Sequence, residues 1–108
     1  MSKIDLLQGT LDMLILRVLA RGEMHGCGIV DRLSKLSRNT LKLGEGSVYP
    51  ALYRMEAKGW IKAAWALSDN NRKAKYYALT EAGRRQLQAE RQGWDQLTAL
   101  IAEVMQKA

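Results

Sequence analysis

The residues whose types are most suited to catalysis or metal binding are His25 and Cys27, which are two positions apart in the sequence. An imidazole beside a thiol can activate a nucleophile or bind zinc. Neither a second ligand group nor an orienting acid is evident nearby in the sequence, and the chain has only one cysteine. We therefore predict no catalytic residues, no metal and no cofactor. Cys27 is interpreted as a small buried apolar residue, with redox sensing as the alternative.

Basic side chains give the sequence a second kind of chemistry, which is the binding of a polyanion. The chain has 17 Lys and Arg against 11 Asp and Glu, for a net charge of +6. Residues 38–85 contain ten of these bases and four of the acids, so this stretch carries the whole net charge. Such a balance favours nucleic acid as a partner, although solubility alone could also explain it.

The segment 45–61, EGSVYPALYRMEAKGWI, combines aromatic residues with the only proline of the chain. It is predicted to form a short helix that is capped by Gly46 or Ser47 and has Pro50 in its first turn. One face of this helix is apolar and is predicted to lie in the core, and the face opposite it is expected to contact DNA. The core face holds Val48, Ala51, Leu52 and Met55; the other holds Tyr49, Pro50, Tyr53, Arg54 and Ala57.

The elements that must position this segment are two helices before it and a hairpin and a long helix after it. Helices are predicted over residues 10–20 and 26–37, and strands over 61–67 and 74–79, where SDNNRK forms a basic turn. The alternation of Ile61, Ala63, Trp65 and Leu67 predicts a half-buried first strand. Thr80 is predicted to cap a last helix that reaches nearly to Ala108.

This order of elements is that of a winged helix-turn-helix, a mainly α fold with a two-stranded β wing. The third helix is expected to enter the major groove of DNA, and the wing to lie along the backbone or in the minor groove. We assign residues 1–79 to the DNA-binding domain and residues 80–108 to a C-terminal dimerisation helix.

Two helices have apolar residues that predict a homodimer. The first helix is apolar nearly all round, so one of its sides is expected to meet a partner subunit. The last helix has apolar residues at near-heptad spacing, a seam for another helix. The predicted interface residues are Leu11, Leu14, Ile15, Leu87, Trp94, Leu97, Ile101 and Val104.

The sequence contains no segment long enough to cross a bilayer, and its start, MSKIDLLQGT, lacks the apolar region of a signal peptide. We expect the protein to be cytoplasmic and to have no membrane partner.

Four segments, LLQGTLDMLILRVL, MHGCGIVDRL, EGSVYPALYRMEAKGWI and NNRKAKYYALTEAGR, together resemble the PadR family of bacterial transcriptional regulators over residues 6–95. The resemblance is to the short subfamily, which has a single C-terminal helix. It implies a winged-helix homodimer, usually a repressor that binds a palindromic operator and is released by a small-molecule effector near the dimer interface. The resemblance also implies that His25 lies at the beginning of a helix.

The resemblance also implies roles for individual residues. DNA-facing positions fall on Ser47, Tyr49 and Pro50 of the third helix. In the wing they fall on Arg72, Lys73 and Lys75, with Asn70 and Asn71 in the turn. Trp94 is expected to be interface core, or to line an effector pocket.

Two alternatives remain open from the sequence. The tyrosines of the third helix could pack against the wing instead of contacting DNA. The whole domain could be a winged-helix module that binds another protein and binds DNA only weakly and non-specifically. An enzyme is set aside, because no acid–base or nucleophile constellation is present.

Overall fold

The fold is taken from a computed structural model, and the structure describes residues 9–108. The start of the chain, on which the signal-peptide expectation depended, lies outside the described residues. Four helices and three strands follow one another in the order α1 (Thr10–Leu19), β1 (Met24–His25), α2 (Gly26–Leu36), α3 (Glu45–Ala57), β2 (Ile61–Leu67), β3 (Lys73–Leu79) and α4 (Glu81–Lys107). The predicted order of three helices, a hairpin and a long helix is confirmed.

The core is built around α1, which packs against α2, α3, β3 and α4. Ile15 and Leu16 are completely buried, so α1 is covered on both of its apolar sides by its own chain. Ile15 therefore offers no surface to a partner, and its predicted place in a dimer interface is wrong. The predicted core face of α3 is confirmed, since none of Val48, Ala51, Leu52 and Met55 has any exposed area.

The three strands form one antiparallel sheet in the order β1-β3-β2. The strand β1 adds a third strand to the predicted two-stranded wing, with His25 paired to Tyr76. Its two residues are too few to show an alternating pattern in sequence. In the hairpin, Trp65 stands opposite Lys75.

The half-buried pattern predicted for β2 holds only at its beginning. Ile61 is 2% exposed, whereas Trp65 and Leu67 are 66% and 64% exposed. The prediction is wrong for these two residues because the hairpin extends beyond the helices that cover its base. Its outer half is a free two-stranded ribbon.

The helix α3 begins earlier than predicted, with Gly44 as its N-terminal capping residue instead of Gly46 or Ser47. Pro50 is therefore the sixth helical residue and not part of the first turn. A proline there cannot donate to the carbonyl four residues before it, which belongs to Gly46. Gly46 is exposed, so water can reach that carbonyl.

The predicted cap of α4 is confirmed, since the Thr80 hydroxyl accepts a hydrogen bond from the Gly83 N–H at 3.0 Å. The same hydroxyl is 2.6 Å from the Gly59 carbonyl and 2.9 Å from the Trp60 carbonyl. These contacts tie the start of α4 to the start of the hairpin. The helix has 27 residues, and every residue after Trp94 is exposed. Its second half therefore projects from the core as a single helix.

Candidate nucleic-acid interface

An open groove of about 730 Å³ lies between the helix-turn-helix and the hairpin. Tyr49 of α3 and the first residues of α2 line it on the helical side. Trp65 and Lys75 line it from the strands, and Tyr77 also contributes to its lining. Residues in and beside the hairpin turn also line it: Ser68, Asp69, Asn70, Arg72 and Lys73. Aromatic and cationic side chains therefore share one concave surface.

Tyr49 is held in this groove by the start of α2. A Cβ atom added to Gly26 would come within 2.5 Å of the Tyr49 ring, so a larger residue there would displace this ring. The Tyr49 hydroxyl lies 3.8 Å from the sulfur of Cys27. Tyr49 remains 39% exposed. One side of the ring thus packs against α2, and the other side is exposed to the groove.

The other predicted residues on the outer face of α3 are also at the surface. Tyr53 is 77% exposed, and Ser47 and Pro50 are exposed as well. The Ser47 hydroxyl donates a hydrogen bond to the Gly44 carbonyl at 3.1 Å, which stabilises the first turn of α3. These positions are accessible to a large ligand.

Arg54 has a partner within the chain. Its guanidinium lies 2.7 Å from the carboxylate of Asp12 in α1, whose side chain is only 13% exposed. A largely buried carboxylate left without its cation would be costly, so this ion pair is expected to persist. The structure therefore places Arg54 as a link between α3 and α1. A contact with a DNA base would compete with that ion pair.

The hairpin turn presents its cations outward. Asn71 has a φ of 61°, a left-handed conformation that asparagine tolerates better than most residues. The Asn71 N–H donates to the Ser68 carbonyl and the Ser68 N–H to the Arg72 carbonyl, both at 2.8 Å. Arg72 and Lys73 follow this closed turn and are exposed, as are Asn70 and Asn71 themselves.

Lys75 differs from its neighbours because it is tied to α3. Its ammonium lies 3.1 Å from the Glu56 carboxylate and 5.6 Å from the centre of the Tyr77 ring. The hydrogen bond to Glu56, together with Tyr77, raises the pKa of Lys75. Lys75 thus connects the wing to α3 and helps to set the width of the groove.

His25 and Cys27 do not form a reactive pair. The Nδ1 atom of His25 accepts a hydrogen bond from the Gly28 N–H at 2.8 Å and so caps α2, and its ring packs 5.2 Å from that of Tyr76. Cys27 is exposed and lines the groove, so its predicted burial is wrong. Across residues 9–108, no three acidic, histidine or cysteine side chains gather in a way that could hold a metal ion.

The projecting half of α4 carries a row of exposed apolar side chains. Three of them were predicted for the dimer seam, namely Leu97, Ile101 and Val104, which are 47%, 50% and 60% exposed. Leu100 and Met105 extend the row, and Trp94 at its beginning is half-buried. The other predicted interface residues, Leu11 and Leu14 of α1 and Leu87 of α4, pack partly against the core of their own chain.

Two features of the groove were missed from the sequence. The exposure of Trp65 depends on how far the hairpin reaches beyond the core, which no local pattern encodes. The role of Gly26 depends on a contact with a residue 23 positions later. A glycine at a helix start was the only available signal, and it is common at such positions.

The helices, the hairpin and the groove between them are those of a winged helix-turn-helix protein with one added C-terminal helix. The same fold occurs in a PadR-like transcriptional regulator from Bacillus cereus, with a TM-score of 0.79 and 29% identity over 94% of this chain and 97% of that one. It also occurs in a PadR family transcription regulator from Clostridium difficile, with a TM-score of 0.76 and 29% identity over 90% of this chain and 99% of that one.

Sequence comparisons agree with the fold. The transcriptional regulator PadR-like family matches residues 15–89. A transcriptional regulator of Mycobacterium tuberculosis is 32% identical over 83 residues, which cover 77% of this chain and 74% of that protein. The chain belongs to the PadR-like family of transcriptional regulators, which are not enzymes.

No helix in the part of the chain from residue 9 onward combines the length and the apolar character that crossing a membrane would need.

Proposed function

We propose that this protein binds double-stranded DNA sequence-specifically through α3 and the wing. The observation that carries the proposal is the groove, in which Tyr49 of α3 and the exposed cations Arg72 and Lys73 of the hairpin turn share one surface. Phenol hydroxyls can reach phosphates, and tyrosine rings can pack on sugars and thymine methyl groups. Cations on the wing neutralise phosphates and would position the duplex.

The second part of the proposal is a homodimer formed through α4, with residues 1–79 binding DNA and residues 80–108 joining the subunits. The exposed row from Leu97 to Met105 supports it, because five large apolar side chains on one projecting helix are costly in water. Two subunits related by a twofold axis would read a palindromic operator, and the half-site spacing would follow from the dimer.

The third part concerns regulation. The family resemblance favours a repressor that a small-molecule effector releases from its operator, and we expect it to act in the cytoplasm. Trp94, which is half-buried where α4 leaves the core, is expected to be interface core or to line an effector pocket. An effector bound against Trp94 would lie at the beginning of the dimer seam.

A footprint on the DNA upstream of the protein's own gene tests the proposal most directly. We expect protection of a palindrome at physiological salt, and no protection of the same DNA with the palindrome scrambled. Protein that binds both DNAs equally, and only at low salt, would instead favour a winged-helix module whose partner is another protein.

A further inference from the structure

Two large apolar side chains on the wing are mostly exposed in the described chain. Trp65 and Leu67 are 66% and 64% exposed. They stand two residues apart on β2, so they lie on the same face of the hairpin. Single exposed apolar residues are ordinary, whereas adjacent ones of this size indicate a surface that contacts something else.

The strand register places a lysine opposite each member of this apolar pair, and of the two only Lys75 is tied to Glu56. Trp65 stands opposite Lys75, and Leu67 stands opposite Lys73. Residues directly opposite in an antiparallel pair share a face, so the two lysines flank the apolar side chains. Arg72 follows at the turn and is exposed. The partner of such a surface must combine negative charge with apolar area at short intervals.

A DNA strand has this alternation, because each deoxyribose ring lies between two phosphates. We propose that Trp65 and Leu67 pack against the deoxyribose rings of one strand while Arg72 and Lys73 bind the phosphates beside them. The inference rests on the proposed function and adds two residues to it. Trp65 lines the groove from the wing and Tyr49 lines it from α3, so the strand would pass between two aromatic rings.

The test separates an apolar contact from an electrostatic one by its salt dependence. We expect Trp65→Ala to weaken binding to a mixed-sequence duplex about tenfold, a loss typical of removing an aromatic contact. The slope of log affinity against log salt should not change, since no charge is removed. Arg72→Ala should instead reduce the magnitude of that slope by about one.

Matched variants control for a general loss of surface. Leu67→Ala should weaken binding, whereas Leu36→Ala should not, because Leu36 is equally exposed, at 60%, but lies at the end of α2. Trp65→Phe should keep most of the affinity. Thermal melting should be nearly unchanged in all of these variants, since each removed side chain is mostly exposed.

The outcomes are distinguishable. If the wild-type protein does not bind DNA, the proposed function is wrong, and so is the proposed contact of Trp65 and Leu67 with deoxyribose rings. Wild-type binding together with equal binding by Trp65→Ala would overturn the contact alone. A weakened Trp65→Ala with an altered salt slope would also overturn it, because the ring would then act by positioning the cations. If Leu67→Ala and Leu36→Ala lose the same amount of DNA affinity, Leu67 does not belong to the DNA-contacting surface.

Discussion

The ring of Tyr49 occupies the space that Gly26 leaves by having no side chain. A Cβ atom at Gly26 would come within 2.5 Å of that ring. One close contact therefore connects the first residue of α2 with the outer face of α3. It restricts where the Tyr49 ring can lie in the groove.

Removing the Tyr49 ring should affect binding more than stability. Tyr49 is 39% exposed, and three fully buried residues hold α3 in place: Val48, Leu52 and Met55. We expect Tyr49→Ala to keep its melting temperature within a few degrees. Operator affinity should fall by roughly 1–3 kcal/mol, the scale of a good groove contact. A collapsed melt, or an unchanged melt with unchanged affinity, would show that Tyr49 does not read DNA.

Displacing the ring instead of removing it gives a sharper control. Gly26→Ala should move the Tyr49 ring and weaken operator binding in the wild-type background. It should have little further effect when Tyr49 is already alanine, because the clash is then absent. A double-mutant cycle measures this coupling. If Gly26→Ala lowers operator affinity equally in the wild-type and the Tyr49→Ala proteins, Gly26 affects binding independently of Tyr49.

A charge in the apolar row of α4 should separate the subunits of the proposed dimer. Ile101 is 50% exposed and lies outside the core of its own chain, so Ile101→Asp should leave each subunit folded but monomeric. A carboxylate buried without a partner is strongly unfavourable. Ala99→Asp is the control, since helical spacing puts residue 99 on the opposite face. Sedimentation of Ile101→Asp as a stable dimer would exclude this face as the interface.

Glu90 is expected to make stability depend on pH. Its Oε2 atom is buried without a hydrogen-bond partner, and burial raises the pKa of its carboxyl, with Asp12 adding to the effect. The folded state therefore holds the proton more tightly than the unfolded state. Stability should fall as the pH rises from the ordinary value of a glutamate through the raised pKa, and then level off.

A neutral side chain at position 90 should remove this penalty. We expect Glu90→Gln to raise Tm at neutral pH and to have less effect at acidic pH, where the wild-type carboxyl is protonated. Glu103→Gln is the control, because Glu103 is exposed on the same helix and pairs with Lys107. A Glu90→Gln protein with the same Tm difference at both pH values would contradict the linkage.

Replacing each of two glycines of α4 with alanine should change the stability of the protein in opposite directions. A Cβ atom at Gly83 would collide with the Trp60 carbonyl oxygen, so Gly83→Ala should destabilise the protein by roughly 1–3 kcal/mol. A Cβ atom at Gly93 would meet nothing within 4 Å, so Gly93→Ala should stabilise α4 by about 0.5–1 kcal/mol. Thermal melting of both variants checks this, and a stabilised Gly83→Ala would show that α4 does not dock as described.

Local patterns in the sequence predicted the four helices and the hairpin of this protein and the core face of α3, but not the two-residue strand β1 or the start of α3. Alternation and helical periodicity report which side of an element is apolar, and capping chemistry at Thr80 marks where α4 begins. The excess of positive charge over residues 38–85 predicted a polyanionic partner, with solubility as the alternative.

Only the tertiary structure decided what each face meets. The helix α1 packs against α2, α3, β3 and α4 of the same chain, so Ile15 is core and not interface. Arg54 forms an ion pair with Asp12. Trp65 is exposed because the hairpin extends beyond the helices that cover its base. These outcomes depend on contacts between residues far apart in sequence. A residue's own neighbours determine which side of an element it occupies, but the packing of distant elements determines whether that side is covered.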